Sequence, residues 1–233
     1  MIRRGENMYY YDWTYIFVLV GLALCSLASI NVSSTFKRYD SVRNARGLTG
    51  EMVAQMILRS AGIYDVTIQR VPGDLTDHYS PKEKVLRLSD SVYGSTSVGA
   101  IGVAAHECGH AIQHQVGYMP LSLRMAVISV ANIGSKLSYP LILAGLFFGY
   151  AGLINMGAAL FTLVVILQFI TLPVEFNASG RALAILKNDG ILEGKELAGA
   201  RSVLTAAALT YVAALVSSVL QLARLLLLSR RRR

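Results

Sequence analysis

The run Val103-Ala104-Ala105-His106-Glu107-Cys108-Gly109-His110-Ala111-Ile112 sets the pattern H-E-x-x-H inside an apolar, Ala- and Gly-rich segment from Val98 to Ile112. On a helix, residues four apart share a face about one turn apart. Two imidazoles so placed can bind one zinc ion. The Glu after the first His then projects beside the metal, where it can take a proton from bound water. The pattern therefore predicts His106 and His110 as ligands of one Zn2+ per chain, and Glu107 as general base. A chance match would bury Glu107 between two histidines with no metal, which is costly. A third ligand, a substrate cleft and an anchor must come from the rest of the chain.

Composition points to a membrane. Of 233 residues 54% are hydrophobic and only 15% charged, and mean hydropathy is +0.48, against about a quarter charged in ordinary globular domains. The net charge is +8 and the chain ends Arg230 to Arg233. In a chain this apolar, that charge reads as topology control and contact with anionic lipid rather than nucleic-acid binding. Two cysteines, Cys25 and Cys108, make neither a zinc-finger set nor a disulfide framework.

Outward from the motif, the expected organisation runs as follows. Residues 1–12 form a flank with an aromatic cluster, Met8-Tyr9-Tyr10-Tyr11, at the membrane interface. Residues 13–30 form a first transmembrane helix, retained as an anchor. A small α+β domain, 31–120, carries the motif helix. In it Thr49 caps a helix ending near Gly62, Val66–Val71 and Lys84–Ser89 are strands, and Asp74–Glu83 is a loop. Residues 121–136 form an amphipathic surface segment, with Arg124 the lone charge from Ser122 to Ser135. Residues 137–173, without a charge, make a second and third span turning near Gly152–Gly157. A helix and polar loop fill 174–202, a fourth span 203–228, and a basic tail 229–233.

A catalytic zinc usually takes three protein ligands and water. His114 is excluded on a straight helix: the eight residues from His106 rise about 12 Å, and zinc–nitrogen bonds are about 2 Å. Gln113 and Val116 stand where the metzincin extension needs Gly and His. After His110 the acidic residues are Glu175, Asp189, Glu193 and Glu196, and the last three lie in a polar stretch. Glu175 follows an apolar span and Pro173, expected to start a helix, and precedes small Ala178, Ser179 and Gly180. A carboxylate there needs a partner. Its ordinary alternative is an ion pair with Arg181 or an interfacial charge; as third ligand it completes the metal set. Two spans between His110 and Glu175 return the chain to the same side of the bilayer.

At these residues the chain resembles the YugP-type neutral zinc metallopeptidase family. The likeness is carried by Arg46-Gly47-Leu48-Thr49-Gly50, Val71-Pro72-Gly73-Asp74-Leu75-Thr76-Asp77-His78-Tyr79, the motif helix through His114, Gly117-Tyr118-Met119-Pro120-Leu121, Thr171 to Ser179, and Ala206 to Val212. Ser80 and Cys108 depart from the family pattern. More distantly the chain is similar to the HtpX-type and CAAX-processing membrane peptidases. Those place an Asp four residues after the third ligand to support a zinc-bound His; here Ser179 stands there, and it or Asn177 would take that role. The fold class expected is mainly α: a polytopic membrane protein with about four transmembrane helices and a small zincin-like α+β domain.

The expected function is a membrane-embedded, gluzincin-type zinc metallopeptidase. Zinc on His106, His110 and Glu175 activates water, and Glu107 moves the proton. His78, Tyr79 and Arg181 are candidate oxyanion donors. The substrate expected is a membrane-associated peptide or protein, in contact with the bilayer, without nucleic acid. Strand Val66–Val71 is a candidate edge for an extended peptide. The other function class is a silent zinc-binding membrane scaffold or quality-control adaptor. The distribution of Lys and Arg leans toward a cytoplasmic active site in a bacterial cell membrane.

Overall fold

The computed structural model describes residues 12–230. The aromatic cluster at 8–11, the arginines at 3 and 4, and 231–233 of the basic tail lie outside the described residues. Within 12–230 there are seven helices and one three-stranded sheet. They are α1 (Tyr15–Asp40), α2 (Gly50–Ser60), β1 (Thr67–Val71), β2 (His78–Ser80), β3 (Val85–Ser89), α3 (Asp90–Tyr93), α4 (Val98–Gln115), α5 (Met119–Phe148), α6 (Ala151–Asn188) and α7 (Gly194–Arg230).

The motif helix, α4, is the hub. Ser97 caps it by accepting the Ala100 N–H at 3.0 Å, satisfying one of the helix's orphan donors. Almost every residue from Val98 to Gln113 is buried, because α4 is enclosed by α2, α6, α7, the end of α1 and the sheet. Its small residues make that possible. A Cβ on Gly109 would stand 2.6 Å from the Ala178 carbonyl oxygen of α6, and one on Gly102 3.3 Å from Ala200 of α7. The core around α4 includes Ile57 from α2, Leu86 and Leu88 from β3, Leu186 from α6 and Leu204 from α7.

Four helices, α1, α5, α6 and α7, are long and apolar enough to cross a membrane. At 1.5 Å per residue α6 is about 57 Å long and α7 about 56 Å, against a hydrocarbon core of about 30 Å. Each is therefore long enough to span and run on well beyond, and part of its length packs in the domain around α4. This changes the expected boundaries. The first helix does not stop at residue 30 but continues to Asp40, where Phe36 and Tyr39 pack on Gly99 of α4 and Gly199 of α7. The amphipathic stretch 121–136 is the first half of α5, continuous through Pro140. The turn between spans falls at Gly149, in the left-handed region at φ +68°, and not at Gly152–Gly157. Pro173 lies inside α6 rather than at a helix start. Its missing N–H leaves the Phe169 carbonyl without its helical donor, yet packing on α4 and α5 keeps the helix continuous. The fourth span begins within a helix that starts at Gly194, so the polar loop shrinks to Asp189–Glu193.

Thr49 caps α2 by accepting from Met52 N–H at 3.3 Å. The sheet order is β1-β3-β2, with β1 parallel and β2 antiparallel to β3. The segment expected as loop, Asp74–Glu83, thus contains strand β2, whose three residues are too few to show alternation.

Candidate metal centre

His106, His110 and Glu175 come together where α4 crosses α6. Glu175 Oε2 lies 3.3 Å from His106 Nε2 and 3.6 Å from His110 Nε2. The two rings stand nearly perpendicular, at 84°. Two ligands on a tetrahedral zinc with bonds of about 2.0–2.1 Å stand roughly 3.3 Å apart, so these separations suit one ion.

The hydrogen bonds say which atoms face inward. Gln113 is fully buried. Its Nε2 donates to the Val174 carbonyl at 2.8 Å and to Asn177 Oδ1 at 3.0 Å. That fixes Gln113 Oε1 toward His110 Nδ1, 3.0 Å away. His110 Nδ1 must then carry the proton, and Nε2 presents a lone pair to the Glu175 carboxylate. His106 Nδ1 lies 3.1 Å from Ser179 Oγ, a hydroxyl that can serve it as donor or acceptor. On Glu175, Oε1 accepts from Arg124 Nη1 at 3.2 Å, while Oε2 is buried with no hydrogen-bond partner. A buried acceptor facing the His110 lone pair is costly unless a proton or a cation sits between them. The residues present therefore fit a zinc ion. The electrostatics agree: burial opposes a proton on His110, yet the nearby Glu175 and Glu107 carboxylates raise its pKa above the usual histidine value. The site favours positive charge.

A cavity of about 260 Å³ opens over this centre, lined by Glu107, His78, Arg124 and Met125 among others. Glu107 is 7% exposed and faces it. Asp77 lines it too, accepting from Ser89 N–H at 2.7 Å and Ser89 Oγ at 2.8 Å. Burial, with the Glu107 charge adding to it, pushes the Asp77 pKa up despite those bonds.

The remaining sequence candidates are placed as follows. Ser179 touches His106. Asn177 reaches His110 through Gln113, and Arg181 Nε donates to Asn177 Oδ1 at 2.8 Å. Arg181 is thus the half-buried end of a relay rather than a wall of the cavity, and the ion partner of Glu175 is Arg124, not Arg181. Tyr79 lines the cavity, but its hydroxyl bonds His114 Nδ1 at 2.9 Å, which also accounts for His114. His78 is held by the Thr76 carbonyl at 2.9 Å and by Arg87 at 3.4 Å. β1 does not reach the cavity; the strand beside it is β2, an edge of the sheet. Cys108 points the other way, into the core, with its Sγ 3.7 Å from the Ala54 carbonyl, and burial pushes its thiol pKa far up. Gln113, Arg124, Asp77 and Tyr211 are site residues that sequence reading did not assign. Only Arg124 carried a signal: a single charge in an apolar stretch needs a partner.

Residues 14–230 match a protein family described as "Putative neutral zinc metallopeptidase". The chain is 44% identical over 215 residues to a Bacillus subtilis (strain 168) protein named "Putative membrane protease YugP", covering 92% of this chain and 96% of that relative. No solved structure matches it. The chain belongs to this zinc metallopeptidase family and is a membrane protein, with four helices able to span among the described residues.

Proposed function

We propose that this family member is a gluzincin-type peptidase, cutting membrane-associated peptides or proteins beside the bilayer with the residues gathered at α4 and α6. The observation that carries the reading is the orphaned Glu175 Oε2, set against two inward imidazole nitrogens with Glu107 in the same cavity. His106, His110 and Glu175 would hold zinc. A zinc ion bound there supplies Lewis-acid polarisation of a peptide carbonyl and of the attacking water.

The chain's own groups do the rest. Glu107 accepts the water proton on a carboxylate oxygen and returns it to the departing amine nitrogen. Gln113 and Ser179 hold the imidazole rings so that Nε2 of each faces the centre. Arg124 divides the two oxygens of Glu175, taking Oε1 and leaving Oε2. It is also the guanidinium on the cavity wall, placed to meet charge developing on a carbonyl oxygen. His78, Tyr79 and Arg181 are already bonded elsewhere and serve the wall and the relay. β2 offers an edge against which an extended peptide can align. The small sheet with α2 and α4 corresponds to a zincin-like domain, which we place on the cytoplasmic side of a bacterial cell membrane.

The test uses the purified, detergent-solubilised chain. Glu107→Gln should keep one zinc per chain and lose peptide cleavage by at least about 100-fold. Glu175→Ala should lower bound zinc. Undiminished cleavage by Glu107→Gln sinks the mechanism, and unchanged zinc in Glu175→Ala removes it from the ligand set. A zinc-loaded wild type that cleaves nothing in a broad peptide screen favours a silent scaffold.

A further inference from the structure

A second cavity, of about 250 Å³, meets the same centre from the other side. It shares Asp77, His106, Glu107 and Tyr211 with the first. Apart from Thr210, whose hydroxyl donates to the Ala207 carbonyl, its other walls are apolar: Val32 and Phe36 of α1, Val203, Leu204 and Ala207 of α7, and Leu75 from the loop between β1 and β2. Arg124 and His78 belong to the first cavity alone, so only that side of Glu107 carries a guanidinium.

Leu75 is held there against its own backbone preference. It is a non-glycine residue at φ +53°, a region that bulky L-residues avoid. Its side chain is 40% exposed rather than buried. The loop is strapped on both flanks: Gly73 N–H donates to Asp90 Oδ2 at 3.2 Å, Thr76 Oγ1 to the Pro72 carbonyl at 3.1 Å, and Asp77 receives both Ser89 donors. Packing does not repay the conformation of a half-exposed leucine. A ligand seated against that leucine would.

We infer that this cavity is a specificity subsite that takes an apolar side chain of the peptide next to the bond cut, with Leu75 as its rim. The inference deepens the peptidase reading and rests on it. A peptide fits better than a lipid chain. The floor, Asp77, His106 and Glu107, is polar and suits an amide backbone, while hydrocarbon laid on it would leave carboxylates unsolvated. The walls suit Leu or Phe, worth about tenfold or more in affinity over a small polar side chain. Two walls belong to candidate membrane helices, and an apolar subsite there favours substrates whose cut site is itself apolar.

The experiment measures binding and cleavage separately. Two fluorescent ten-residue peptides, identical except for Leu-Leu or Ser-Ser at the centre, are titrated by anisotropy into zinc-loaded, detergent-solubilised Glu107→Gln protein. The Leu-Leu peptide should bind about tenfold tighter. Adding Leu75→Gly, which suits the positive φ, should cut that ratio below about threefold while zinc content stays and thermal stability is unchanged or raised. Ala207→Phe, filling the cavity from α7, should do the same. A protein with native Glu107 should show the same preference in kcat/KM. No discrimination by the parent protein, or a ratio untouched by both substitutions, overturns the subsite. Discrimination in binding with no cleavage by native Glu107 upholds the subsite and fails the peptidase reading instead.

Discussion

The motif helix α4 and the second half of α6 supply the same site in different ways. In α4, the two proposed ligands and the proposed general base lie within five residues, and helical geometry alone brings them to neighbouring positions. In α6, Glu175 stands 65 positions after His110 (175 − 110). The same stretch brings Ser179 to one imidazole directly and Asn177 to the other through Gln113. So α4 offers the donors and α6 fixes their direction. An isolated α4 would carry the pattern with freely turning rings; the site appears only when α6 lies against it.

That contrast breaks most completely at Gly109. A Cβ there would meet the Ala178 carbonyl oxygen at 2.6 Å, so Gly109→Ala must move α6 away from α4. The expected result is loss of bound zinc and a stability loss of about 1–3 kcal/mol, read from metal content and thermal unfolding. Wild-type zinc affinity in that variant would show that close helix approach does not set Glu175.

A smaller effect separates the two imidazoles. Gln113→Leu leaves His110 Nδ1–H without its acceptor and should weaken zinc about 10- to 100-fold. Ser179→Ala removes one hydroxyl beside the less buried His106 and should cost less. Competition against a chelator of known affinity measures both. If Ser179→Ala proves the more damaging, the relay through Gln113 is not what holds the centre.

The smallest effect concerns Asp77, on the wall that belongs to neither helix. Its folded pKa is raised above the unfolded value of 3.8 by burial. Between those two values the folded state binds more protons than the unfolded one, so stability falls as pH rises through that window. Thermal unfolding of metal-free protein from about pH 4 upward should show that decline in the wild type and a flatter profile in Asp77→Asn. Identical profiles would mean that Asp77 is as well solvated in the fold as out of it.

Much of the architecture was legible because it depends on local rules. Hydropathy marked four long apolar segments, and H-E-x-x-H marked one helix face. Glu175 was reachable by elimination, since a lone carboxylate beside an apolar span needs a partner. The helix limits were harder. Composition turns polar where a helix leaves the bilayer, but the helix itself continues, so α1, α5 and α7 overran the boundaries drawn from hydropathy. The three residues of β2 carried too little pattern to find. Gln113 is an ordinary polar residue until α6 arrives beside it, and Arg124 is a lone charge whose partner only α6 reveals.

By itself, then, the sequence determined which residue types are available: two imidazoles and a carboxylate at helical spacing, a buried acid further on, and enough apolar length to anchor them. Those depend on periodicity and transfer free energy, which act over a few residues. The tertiary structure decided which atoms face inward, which of the candidate donors are already bonded elsewhere, and that two cavities, one with Arg124 on its wall and one without, meet at Glu107. Those depend on hydrogen-bond geometry and close packing between segments distant in the chain, for which local sequence holds no record.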